Sequence, residues 1–201
     1  MNEAPLHAYE LIPLNIAGYV LAFALIVGHL FALVQGDKCR QFLVQSPRNH
    51  VLAQATLAIG VIWFFLLVAP TGLPFHLSSL RVELAEFESI RWLLQLACPV
   101  FFFLMVTQVR DLLFPRALGL VAMLAVAPFL TAAYLKEPTT RLLIPIWGYV
   151  VVILSMIWVG KPYIYRDMVN WITARKGLWN ILCIGGLLYG VAILVCDILF
   201  W

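Results

Sequence analysis

Charge is scarce in this sequence of 201 residues: Asp, Glu, Lys and Arg together make up 11% of it, against 64% hydrophobic residues. A soluble globular domain carries about 25% charged residues. A chain this apolar, folded in water, would expose greasy patches large enough to aggregate. The reading that remains is all-α and polytopic, a chain whose main partner is the lipid bilayer. The few charges are not concentrated either. A formal net charge of +3, dispersed along the chain, makes no basic patch, so no nucleic acid is expected as a partner.

Cysteine is equally sparse. Cys39, Cys98, Cys183 and Cys196 form no C-x-x-C pair and have no metal-ligand spacing. Three of them fall inside apolar runs, where a free thiol behaves as a small hydrophobe. Neither a disulfide framework nor a cysteine metal site is expected. The stretch MNEAPLHAYELIPLN holds no Lys or Arg before the first apolar run, which is not the pattern of a cleavable secretory signal, so the first span is expected to stay in the mature protein. Also missing are G-x-S-x-G, H-E-x-x-H, a Walker loop and a dinucleotide fingerprint. Enzyme is therefore the least supported class, and no cofactor is assigned.

What the sequence does have is long apolar runs. Crossing a hydrocarbon core of about 30 Å takes roughly 20 helical residues, and six stretches meet or approach this, at about 11–34, 51–70, 92–109, 116–135, 141–159 and 178–201. They define a single bundle of six transmembrane helices with short interfacial amphipathic helices, and the whole chain is read as one domain. The connections between spans three and four and between four and five are short, which predicts antiparallel neighbours. Pro99, Pro128 and Pro145 are expected to kink or loosen their helices.

Lys and Arg distribution orients the bundle. Nine of them (Lys38, Arg40, Arg48, Arg110, Arg116, Lys161, Arg166, Arg175, Lys176) follow spans one, three and five. Four (Arg81, Arg91, Lys136, Arg141) lie on the other side. The first set is placed in the cytoplasm, which leaves both termini outside. Compactness and this loop bias favour a bacterial inner membrane. Trp92 and Trp201 at one edge, with Trp158, Trp171 and Trp179 at the other, fit interfacial belts.

Inside lipid, helices associate by close packing rather than by a hydrophobic drive. Gly186-x-x-x-Gly190, Gly18 with Ala22, and the Gly119, Ala122 and Ala125 stripe offer flat faces for neighbouring backbones. Contact within the bundle is the expected use, ahead of a homo-oligomer interface.

Ionisable groups inside spans are costly and default to functional candidates. His29 and Asp197 are the two here. They differ in depth by roughly 20 Å at 1.5 Å per residue, so they cannot share one site. His29 lies near the depth of His50, and two such histidines are haem-ligand types, against the plainer reading of hydrogen-bonded structural histidines. Asp197 is expected to be partly hydrated, paired with an outer arginine. Between the polar layers the midplane is apolar, with Tyr149 and Tyr189 its main polar groups, which disfavours a polar conduction path.

Two segments read as amphipathic surface helices. In HLSSLRVELAEFESIR, residues Leu77, Leu80, Leu84 and Phe87 recur at helical spacing, and Glu88 should pair with Arg91. His76, Glu83 and Glu86 there are metal-ligand types, but a solvated face is the better reading. In GKPYIYRDMVNWITARKG, Pro162 suits a helix start and Gly177 a stop. Ile164, Met168, Trp171 and Ile172 make its apolar stripe, with Arg166 and Asp167 opposite as candidates for a lipid headgroup or partner. The function that follows is an accessory or scaffold subunit of a membrane complex. A small channel or carrier for a neutral solute is the alternative, and a haem- or quinone-linked redox subunit the second.

Overall fold

The computed structural model describes residues 7–69, 80–82, 85–109 and 111–201, with the side chains of 85–87 excepted. Among the described residues there are eight α-helices and no strands, and six helices are long and apolar enough to cross a membrane. These six are α1 (Leu14–Val34), α3 (His50–Leu67), α4 (Arg91–Gln108), α5 (Leu113–Ala133), α6 (Leu143–Gly160) and α8 (Lys176–Phe200). Two shorter helices, α2 (Gly36–Gln45) and α7 (Pro162–Ala174), lie between them. Each apolar run thus forms one helix, because lipid would leave every unpaired backbone N–H and C=O unsatisfied.

Local chemistry sets the ends. Pro13 holds an extended conformation immediately before α1. The Asn49 side chain caps α3 by accepting a hydrogen bond from the Leu52 N–H at 3.0 Å. Pro162 opens α7, where its missing N–H has no intrahelical acceptor to lose. Pro145 falls in the first turn of α6 for the same reason and interrupts nothing, whereas Pro99 and Pro128 are interior to α4 and α5, which continue through them. Leu112 precedes α5 in the left-handed region, with φ of 54°. This uncommon conformation for a leucine turns the chain sharply between α4 and α5.

The helices alternate in direction. One end of the bundle, the basic end, carries α2 and α7; the opposite end carries the connection between α5 and α6 and both described chain ends. The α5 helix is central, packing along α6 and α3, while α1 packs along α8. Two buried clusters hold these layers. One joins Leu21 and Ala22 of α1 to Ala132, Ile144 and Ile193. The other joins Leu57 of α3, Phe114 and Ala117 of α5, and Tyr165 and Val169 of α7.

Glycines set the approach distances. A Cβ added at Gly119 would lie 2.7 Å from the Ser155 carbonyl oxygen, so α5 and α6 are in backbone contact. At Gly190 it would meet the Ala22 carbonyl at 3.2 Å, so α8 also comes close to the α1 backbone, though less tightly. Both are the small-residue contacts that replace hydrophobic drive in lipid.

One expectation is corrected. Helices α4 and α5 are joined by a short connection, yet α4 packs on α3 and has no comparable contact along α5. Gly60 receives the Leu120 and Val121 side chains, so α3 takes the place beside α5 that a short loop would have given α4. In α7, the face buried against the bundle is Pro162, Tyr165 and Val169. Of the expected stripe, Trp171 is exposed and Ile164, Met168 and Ile172 are half-buried.

Candidate functional site

The two ionisable candidates within span-length helices, His29 and Asp197, fall in one seam. Helices α1 and α8 run antiparallel, with Gly18 facing Asp197, Leu25 facing Gly190 and His29 facing Gly186. His29 therefore lies toward the basic end and Asp197 toward the opposite one. Eleven residues of helix separate them on each strand of the seam, about 16 Å at 1.5 Å per residue, in keeping with two separate environments.

His29 is anchored by its own helix. Its Nδ1 donates to the Leu25 carbonyl at 2.7 Å, and the Nε2 edge lies flat against Gly186, where a Cβ would come within 2.1 Å. The glycine is what makes room for the ring. His50 is exposed in the first turn of α3, which packs against α5 and α4 rather than α8. The two histidines thus belong to different helix pairs.

Asp197 is buried, and unpaired among the described residues. The residue is 3% exposed, and among the described residues neither carboxylate oxygen has a hydrogen-bond partner. Gly18 lets α8 come close enough to bury it: a Cβ there would lie 2.6 Å from Asp197 Oδ2 and 2.6 Å from the Trp201 ring. Trp201 is itself fixed by donating its indole N–H to Thr140 Oγ1 at 2.7 Å. The outer arginine expected as a partner makes no ion pair with the carboxylate among the described residues. An unpaired ionised carboxylate at such a position costs several kcal/mol.

Arg166 and Asp167 form an exposed pair with one another at 2.9 Å in the first turns of α7. Behind them, Tyr165 is buried and its hydroxyl lies 3.3 Å from Ser46 Oγ. Ser46 gives its own proton to the Leu43 carbonyl, so the phenol is the donor. Burial pushes the Tyr165 hydroxyl above the ordinary phenol range, and the Ser46 contact opposes this only in part.

At the opposite end, the predicted Glu88 to Arg91 pair is present at 2.6 Å, and Arg81 joins it on the other carboxylate oxygen. The guanidinium of Arg91, only 5% exposed as a residue, also donates to the Ala69 carbonyl at 3.3 Å and the Val82 carbonyl at 2.6 Å. Gln95 adds a bond to the Val68 carbonyl at 2.8 Å. Together they tie the two residues that follow α3 to the first turns of α4. Nearby, Trp63 donates to the Tyr9 hydroxyl at 2.7 Å and the His7 ring donates from Nε2 to the Leu80 carbonyl, which lays the segment before α1 over α3. Of the expected surface helix, His76, Leu77, Glu83 and Leu84 lie outside the described residues, as do the Glu86 and Phe87 side chains. Residues Ala85–Ile90 form a 3-10 turn leading into α4.

Sequence reasoning missed the Arg91 clamp, the Tyr165 to Ser46 bond and a hollow between α2 and α7. Only the first had a signal, an arginine at the head of an apolar run. Tyr149 is 61% exposed on the outside of the bundle, while Tyr189 donates to the Leu143 carbonyl at 2.6 Å, so the two midplane tyrosines do not line one path. No group of three or more metal-ligating side chains occurs among the described residues. Comparison with protein-family models, with curated proteins and with solved structures finds no match.

Proposed function

We propose that this protein is an accessory or scaffold subunit of a membrane complex, acting through packing rather than through chemistry of its own. The observation that carries the reading is where the hydrogen-bonded polar side chains within the span-length helices direct their protons. His29, Thr56, Thr107, Thr131 and Tyr189 each donate to a backbone carbonyl of this chain. Four of these bonds close on the donor's own helix and only Tyr189 reaches another, so the donors converge on no common point. The position of α4 adds support: it packs on α3, and large apolar side chains such as Trp92, Leu96 and Phe103 are exposed along it. Such a helix offers lipid or a neighbouring subunit a broad apolar flank. The proposal includes a cytoplasmic basic end and a bacterial inner membrane, supported by the nine-to-four cation bias and the short connections.

The test is extraction of the tagged chain from its native membrane in mild detergent, followed by native mass determination and identification of what copurifies. A defined heteromeric complex of fixed stoichiometry is expected. A clean monomer or symmetric homo-oligomer would overturn the reading in favour of a carrier, to be followed by solute flux in proteoliposomes.

A further inference from the structure

At the basic end, α2, α7 and the first turn of α8 line an open hollow of about 330 Å³. Its charged wall is Arg40, whose side chain is only 16% exposed. The Arg40 Nε donates to the Gly36 carbonyl at 3.2 Å and Nη2 pairs with Asp37, while Nη1 makes no hydrogen bond among the described residues. The guanidinium is thus fixed in orientation with donors left over. Lys176 faces it across the hollow from the start of α8, and makes no ion pair among the described residues. Gln41 and Gln45 supply amides to the same wall, and Thr173, its hydroxyl committed to the Val169 carbonyl, closes the far side.

We propose that this hollow binds a phosphodiester anion, with Arg40 and Lys176 as its two cationic ligands. Planar guanidinium donors match phosphate oxygens in paired geometry, and an ammonium adds a point charge. Asp37 lies at the rim, 80% exposed, and offsets one of the two cations. The remaining single positive charge suits a diester monoanion better than a phosphomonoester dianion. The phosphodiester available at this level is that of a glycerophospholipid headgroup. The hollow is at the turn from α1 into α2, beside Trp179, whose indole donates to the Ala32 carbonyl at 3.1 Å. Val44 lines it one turn along α2 from Arg40, which gives the acyl portion of a lipid an apolar contact next to the charge.

The experiment uses the full chain in non-ionic detergent, titrated with phosphatidylglycerol and read by native mass spectrometry. One tightly retained lipid per chain is expected. Lys176→Gln should weaken its retention about tenfold, the scale of one charge-assisted hydrogen bond, and Arg40→Gln should do at least as much. Arg166→Gln, on the exposed Arg166 to Asp167 pair, should change nothing. If Lys176→Gln and Arg166→Gln weaken binding equally, or neither does, the proposal fails. Lys176 is exposed and its substitution leaves the fold intact, so the result stands even if Arg40→Gln unravels α2. Millimolar inorganic phosphate that fails to displace the lipid identifies the headgroup as the source. Displacement would assign the same phosphate site to a soluble anion instead.

Discussion

Among the described residues nothing answers the charge of Asp197, which packs with the Trp201 side chain against Gly18. A buried polar group without a partner subtracts from stability, and apolar replacement of similar volume is commonly neutral or stabilising. Asp197→Leu is therefore expected to leave the thermal midpoint in detergent unchanged, or to raise stability by about 1–3 kcal/mol. A fall of that size would mean that a polar partner reaches the carboxylate in the working protein. The glycines give a second test at this scale. At Gly119 an added methyl meets the Ser155 backbone, which cannot swing aside, so Gly119→Ala should cost about 1–3 kcal/mol through forced separation of α5 and α6. At Gly185 nothing lies within 4 Å, and alanine should be neutral or stabilising by up to about 1 kcal/mol through helix propensity. Equal effects at the two positions would remove the claim that backbone contact sets the α5 to α6 distance.

Among the elements, α7 shows how an interfacial helix divides its apolar surface. Tyr165 and Val169 go into the bundle, and Trp171 stays outside. Tyr165→Phe deletes the bond to Ser46 and should cost about 0.5–1.5 kcal/mol. It should also alter the alkaline limit of stability. Burial raises the Tyr165 hydroxyl above its ordinary value, so the folded state holds the proton more tightly than the unfolded one. The corresponding stability is complete below the ordinary phenol value of about 10 and is lost as pH rises from there through the folded value. Thermal midpoints taken from about pH 8 to 11 should fall less steeply in Tyr165→Phe than in the parent, and identical slopes would show that Tyr165 is not the group concerned. The sequence announced α7 itself through Pro162 and its amphipathic spacing, but not its buried face, because lipid and protein both accept apolar side chains. The six long helices were legible for a simpler reason, since the length needed to cross a bilayer is written directly as uninterrupted apolar sequence. The α1 to α8 seam was half legible: Gly18, Ala22, Gly186 and Gly190 marked flat faces, but nothing in their spacing said that these faces meet each other. Helix α2 was hidden by its shortness and polarity, and the place of α4 was misread because loop length speaks only of proximity at one end. Arg91 was legible as a partner of Glu88 and illegible as a clamp on the carbonyls that follow α3, which depends on contacts from a distant part of the chain.

For the molecule as a whole, alternation of the six long helices puts α2 and α7 at one end and the connection between α5 and α6 at the other. If the bundle spans a bilayer, those two ends must face different compartments, whichever way up it sits. The excess of Lys and Arg then decides the direction, because cationic loops are retained on the cytoplasmic side. Gln41 on α2 and Thr139 at the opposite end are both exposed, and serve as reporters once the four native cysteines are replaced by alanine. In intact cells, a membrane-impermeant maleimide should label Thr139→Cys and spare Gln41→Cys until the membrane is permeabilised. The reverse pattern would keep the bundle and overturn its orientation. Labelling of both positions in intact cells would overturn the six-span arrangement itself, because two ends separated by antiparallel helices cannot be reached from one side of a sealed bilayer. The same result bears on the phosphate hollow, which lies at the Gln41 end and requires headgroups of the cytoplasmic leaflet if the charge bias has been read correctly.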